Sequence, residues 1–76
     1  MNKARRNHLA QIKGEISELK DRLEGHMSDE EGYRDNMPEN FQGSERYEKA
    51  DGACDALQEA ISQLEESIDS LDAAMD

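Results

Sequence analysis

The sequence predicts an all-α protein: two long amphipathic helices folded into an antiparallel, coiled-coil-like hairpin that dimerises into a four-helix bundle. Two heptad stripes of apolar residues support this. So does one proline-containing break that divides the chain into halves of equal length, and a charge pattern that suits antiparallel pairing. Residues 1–76 form one domain, with a helix over about 4–34, a loop over about 35–43 and a helix over about 44–75.

The second helix carries the clearest signal. Tyr47, Ala50, Cys54, Leu57, Ile61, Leu64, Ile68, Leu71 and Met75 alternate in steps of three and four, so they occupy positions a and d of a heptad. Ser44 suits the N-cap, and Glu45 suits the positive end of the helix dipole. In the first helix Leu9, Ile12, Ile16, Leu19 and Leu23 keep the same step. The frame continues through His26 at d, Glu30 at a and Tyr33 at d. Gly14, Gly25, Gly32 and Gly52 fall at f or c, so each weakens its helix without opening a hole in the seam.

Between the helices lies Asp35-Asn36-Met37-Pro38-Glu39-Asn40-Phe41-Gln42-Gly43. Pro38 disfavours the α conformation at Met37 and so ends the first helix. Asn and Gly suit a reversal. Folding the chain about residue 40 pairs Leu9 with Leu71, Ile12 with Ile68, Ile16 with Leu64, Leu19 with Ile61 and Leu23 with Leu57. The same fold sets the basic e positions Arg6, Lys13 and Lys20, with Met27, against Asp51, Gln58, Glu65 and Asp72. Arg6 is expected near Asp72, Lys13 near Glu65 or Asp72, and Lys20 near Glu65 or Gln58. Such pairs fix register more than they add stability. A parallel dimer through the second helix is the rival, because Ile at a with Leu at d suits two parallel strands.

Position g of the second helix holds Arg46, Ala53, Ala60, Ser67 and Ala74. Small residues beside the seam widen the apolar face beyond what one partner helix covers. The expected self-association surface is therefore Ala53, Ala60, Ile61, Leu64, Ser67 and Ile68, on which a second hairpin packs.

Composition narrows the function. The formal net charge is −10. Residues 1–22 hold six Lys/Arg against three Asp/Glu, and residues 23–76 hold three against sixteen. A chain this acidic is a poor nucleic-acid binder through its overall field. Cys54 is the only cysteine, so no disulfide forms within the chain, and a lone thiol fits a reducing compartment. The start, Met1-Asn2-Lys3-Ala4-Arg5-Arg6, leads into no apolar stretch, and the longest apolar run is Ala73-Ala74-Met75. We expect a cytoplasmic protein with no signal peptide and no membrane span.

Four candidate chemistries give way to plainer readings. His26 and Cys54 share a layer, so a dimer would gather two of each, a zinc-type ligand set. No CxxC or HxxxH spacing supports it. Asp29-Glu30-Glu31 lacks the order of an EF-hand loop and reads as a solvated acidic turn. Lys3, Arg5 and Arg6 form a small basic cluster that serves helix pairing. The carboxylates of the second helix, from Asp51 to Asp72, read as a solvated face. No catalytic constellation is present, since His8 and His26 share no face with a serine–acid pair. We expect no enzyme activity and no cofactor or metal.

Large apolar groups cluster near the turn, where a mere connector needs none: Tyr33, Met37 and Phe41 are the expected anchors for an unidentified protein partner. The segment Asn36-Met37-Pro38-Glu39-Asn40-Phe41-Gln42-Gly43-Ser44-Glu45-Arg46-Tyr47-Glu48-Lys49-Ala50, with the heptad helix after it, resembles a group of short acidic proteins from phages and mobile elements of Gram-positive gut bacteria. That resemblance covers roughly residues 30–76 and implies an accessory role in a bacterial cytosol. It assigns no functional residue. The leading expectation is a non-enzymatic, self-associating protein–protein interaction module. The alternatives are an acidic nucleic-acid mimic that inhibits a nucleic-acid-binding protein, and a small nucleic-acid-binding accessory acting through the basic N-terminus.

Overall fold

A computed structural model describes all of residues 1–76. Helix α1 runs Lys3–Asp35 and helix α2 runs Glu45–Met75. A single 3₁₀ turn, Glu39–Phe41, lies between them. There are no strands. The two helices pack against each other along their length in antiparallel fashion, giving a rod of 59 × 15 × 12 Å.

Local chemistry sets each boundary. The Asn2 side chain accepts a hydrogen bond from the Arg5 amide at 2.8 Å, which satisfies one of the free N–H groups at the start of α1. Ser44 does the same for the Tyr47 amide at 3.3 Å. At the other end of α1, the Asn36 amide still reaches the Gly32 carbonyl at 3.0 Å. Pro38 then takes an extended conformation, φ −58° and ψ 150°, and the helix cannot continue. Its carbonyl accepts from the Phe41 amide at 2.8 Å, closing the 3₁₀ turn. The Ser44 amide and hydroxyl both donate to the Phe41 carbonyl, so the turn is tied directly to the cap of α2.

The core is thin. Met37, Ala50, Cys54 and Ile61 are the buried residues, and three of them lie on α2. The a and d positions of α2 from Tyr47 to Met75 are all at least half-covered, as the heptad pattern requires. Helix α1 behaves differently. Its a positions Leu9, Ile16, Leu23 and Glu30 are half-buried, and so are its e positions Lys13, Lys20, Met27 and Arg34. Its d positions Ile12, Leu19, His26 and Tyr33 are exposed. The expected pairing of Ile12 with Ile68 and of Leu19 with Ile61 is therefore corrected: α1 is turned so that its a/e line, and not its a/d line, faces α2.

The residues account for that rotation. Two of the four d side chains, His26 and Tyr33, carry polar groups that hydrate more readily than they bury. The e line holds Met27 and three cations whose aliphatic stems cover apolar surface while their heads reach acids. Lys13 bridges Asp72, Lys20 lies 3.8 Å from Glu65, and Arg34 lies 2.9 Å from Asp51. These pairs occupy one edge, a heptad or two apart, in one constant antiparallel register. Arg34 with Asp51 continues the series by the frame alone, two heptads on from Lys20. Arg6 lies one heptad too early to share Asp72, which Lys13 occupies.

Candidate interaction surface

Turning α1 away from the a/d arrangement leaves its d line open along one side of the rod. Ile12 is 44% exposed, Leu19 48% and Tyr33 50%. Each sits beside a shallow trough floored by α2. At the open end, Ile12 and Ile16 face Gln63, Glu66, Ser67, Ser70 and Leu71. In the middle, Leu19, Leu23 and His26 face Leu64. Towards the turn, Glu30 and Tyr33 face Glu45, Arg46, Lys49 and Ala50, so the trough is charged there. The trough ends in a hollow formed by Tyr33, Met37, Pro38 and Phe41, with Arg46 at its rim. All of these lie on one face, so a single interrupted apolar groove runs the length of the molecule.

The wall contributed by α2 has an unusual composition. Its c and g positions from residue 46 onward are Arg46, Lys49, Ala53, Ala56, Ala60, Gln63, Ser67, Ser70 and Ala74. None is acidic. Every carboxylate of α2, including Glu48, Asp51, Asp55, Glu59, Glu65, Glu66, Asp69 and Asp72, falls at b, e or f. The middle of this wall is mostly small and uncharged, while Glu45 and Glu66, at f, line the trough near its two ends. The g stripe is visible in the sequence. The c stripe and the open d line of α1 emerge only once the rotation of α1 is known.

The expected self-association residues divide accordingly. Ser67 is exposed in the trough, and Leu64 is half-buried at its floor. Ala53, Ala60 and Ile68 are half-buried. Ile61 is only 2% exposed and is spent within the hairpin. The expected loop anchors also divide. Met37 is 8% exposed and closes the end of the rod, whereas Phe41 is 47% exposed and Tyr33 projects into the groove.

Electrostatics mark the turn end of the rod. Arg34 makes a hydrogen bond to Asp35 at 2.9 Å and another to Asp51, which hold its guanidinium still more firmly protonated than usual. Burial pushes the Cys54 thiol above its ordinary range, and Arg34 partly opposes that shift. Cys54 is buried and His26 is exposed in the groove, so the shared layer expected for them does not form. No group of three or more His, Cys, Asp or Glu side chains converges as a metal-ligand set. No helix is long and apolar enough to cross a membrane.

The arrangement defines a class: a two-helix hairpin with one open apolar face and one strongly acidic face. The chain matches no protein-family model, no curated protein and no solved structure.

Proposed function

We propose that this chain is a non-enzymatic protein–protein interaction module that self-associates through its open groove. The observation that carries this reading is the exposed d line of α1, Ile12, Leu19 and Tyr33, set beside an apolar floor that includes Leu64 and Leu71 of α2. Area gives the scale. The accessible surface is 5565 Å² for 8.6 kDa. A compact monomer of that mass exposes roughly 4,700 Å². The excess reflects the rod shape and thin core of a two-helix hairpin, which leave apolar side chains open to a partner. Packing two hairpins groove to groove yields a four-helix bundle, in which the half-buried d side chains gain a full shell of neighbours.

The acidic b, e and f faces and the Phe41 end stay outward in such a bundle. They are the surfaces left for a further protein partner, in keeping with a mobile-element accessory role. The acidic-mimic alternative draws on the same outward carboxylates and requires a basic partner. Self-association is tested by sedimentation equilibrium on the full chain from low to high micromolar concentration. A dimer is expected, and Leu19→Lys should give a monomer that retains helix. A wild-type chain that stays monomeric throughout that range, with full helical circular dichroism, would remove the proposal.

A further inference from the structure

The charge layout also fixes how the second copy lies. We infer that the two hairpins pack in opposite directions, about a two-fold axis perpendicular to the rod near the level of Leu19, so that the turn of each lies beside the N-terminus of the other. This rests on the self-association proposed above.

Two independent features support it. The first is the charge of the ends. Residues 29–51, around the turn, hold eight Asp/Glu against three Lys/Arg, a local −5. Residues 1–8 hold Lys3, Arg5 and Arg6 and no acid, a local +3. Asp69, Asp72 and Asp76 of α2 share the open end and offset those three cations, so that end is near neutral as a whole while the turn end is acidic. Parallel packing places two turn ends of −5 side by side. Opposed packing places each of them against a near-neutral end with a basic N-terminal segment, which removes that like-charge repulsion.

The second feature is the g line of α1, which borders the groove next to the d line. It reads His8, Glu15, Arg22 and Asp29. In parallel groove-to-groove packing each α1 lies across from α2 of the other copy, where Glu15, Arg22 and Asp29 are level with the uncharged Ser70, Gln63 and Ala56 and find no ion-pair partner. With the copies opposed about the level of Leu19, Glu15 of one lies within a turn of Arg22 of the other, twice by symmetry, and His8 lies near Asp29. The same level lies close to the middle of the rod, so opposed packing still overlaps the grooves along most of their length. Leu19 then sits at the centre of the interface, where desolvation is greatest.

The test places one spin label on Gln42, at the exposed tip of the turn, in a Cys54→Ala chain, and measures the label-to-label distance in the dimer. Opposed copies put the tips roughly 50 Å apart or more, counting 1.5 Å per residue from Leu19. Parallel copies put them within roughly 20 Å, given helix spacings of about 10 Å. A second measurement uses charge. Glu15→Arg and Arg22→Glu should each weaken dimerisation, by about tenfold for two reversed pairs, and the double swap should recover most of the loss. A long distance with recovery supports the inference. A short or two-peaked distance distribution, or a double swap no tighter than the single ones, overturns the opposed arrangement and leaves the interaction module standing. A chain that never dimerises overturns the module itself.

Discussion

Truncating Ile61 and Leu19 to alanine separates the folding of the hairpin from its association. The notional a/d frame treats the two residues as one layer, but their surroundings differ. Ile61 is buried against α1 at the middle of α2. Removing its three outer carbons costs their transfer free energy plus a term for the cavity, roughly 2–5 kcal/mol. The value should lie in the lower half of that range, because a core this thin can partly collapse into the space. Even so, it is a large share of the 5–15 kcal/mol typical of whole domains. Leu19 keeps about half of its surface in water, so within one hairpin its truncation should cost only about 1 kcal/mol. In the dimer it should cost more, because there it is fully covered. The assay is urea denaturation of the wild type, Ile61→Ala, Leu19→Ala and the exposed control Glu66→Ala, each at low and at high protein concentration. The Ile61→Ala deficit should be nearly the same at both concentrations. The Leu19→Ala deficit should grow with concentration, as association stabilises the wild type by mass action. Equal deficits for Ile61→Ala and Leu19→Ala at low concentration would refute the rotated packing of α1. A deficit for Ile61→Ala no larger than that of Glu66→Ala would refute the heptad phase of α2.

Four further outcomes are expected. Reversing Lys13 and Lys20 to Glu should lower stability by roughly 1 kcal/mol through like charges against Asp72 and Glu65, and adding Glu65→Lys should recover about half, read by thermal denaturation at low salt. Met37→Ala should cost roughly 2–3 kcal/mol and Phe41→Ala less than about 1 kcal/mol, because Met37 closes the rod and Phe41 stands half in water. Gly14→Ala and Gly52→Ala should each stabilise by roughly 0.5–1 kcal/mol in chemical denaturation, since an added methyl meets open space at both helix-interior sites. Cys54 should react with a thiol reagent only as fast as the hairpin opens; burial raises its folded-state pKa, so its contribution to stability is intact below the unfolded thiol's pKa and is lost as pH rises through the folded value, which alkaline denaturation of wild type against Cys54→Ala would show.

Much of the fold is legible in the residues, and the reasons are local. Pro38 and the caps at Asn2 and Ser44 act through nearest neighbours, so helix boundaries and the turn follow from short-range rules. The α2 heptads from Tyr47 to Met75 face a single direction without interruption, so the buried line of α2 follows too. Opposite charge at e on both helices gives the register, and Arg34 with Asp51 shows that the same frame reaches the turn. The rotation of α1 is not legible in that way. A period of 3.5 defines a stripe that contains both a and d, but two helices share only a narrow seam, and either flank of the a line can occupy it. The choice rests on His26 and Tyr33 being poor core residues and on Met27 and the Lys and Arg stems being adequate ones. That is a comparison of partial burial energies near 1 kcal/mol apiece, too fine for a pattern to decide. The groove is a consequence of that choice, which is why its c-position wall on α2 is unremarkable in sequence and conspicuous in the folded chain.

The rotation has a further consequence for how stability and association depend on each other. An a/d hairpin would spend Ile12 and Leu19 on its own core, and a second copy would find only the small g residues of α2 to pack upon. By holding α1 through its e cations, the chain keeps its seam together with interactions that are individually weak and screened by salt. It thereby leaves Ile12 and Leu19 open on α1, while Leu9, Ile16 and Leu23 stay in the seam. Under the proposed self-association, the associated form is the better packed of the two. Under that proposal the folded population rises with the chain's own concentration, which is a consequence the denaturation series above reads directly. The ion pairs along the other edge then act mainly to hold α1 in the rotation that presents the groove.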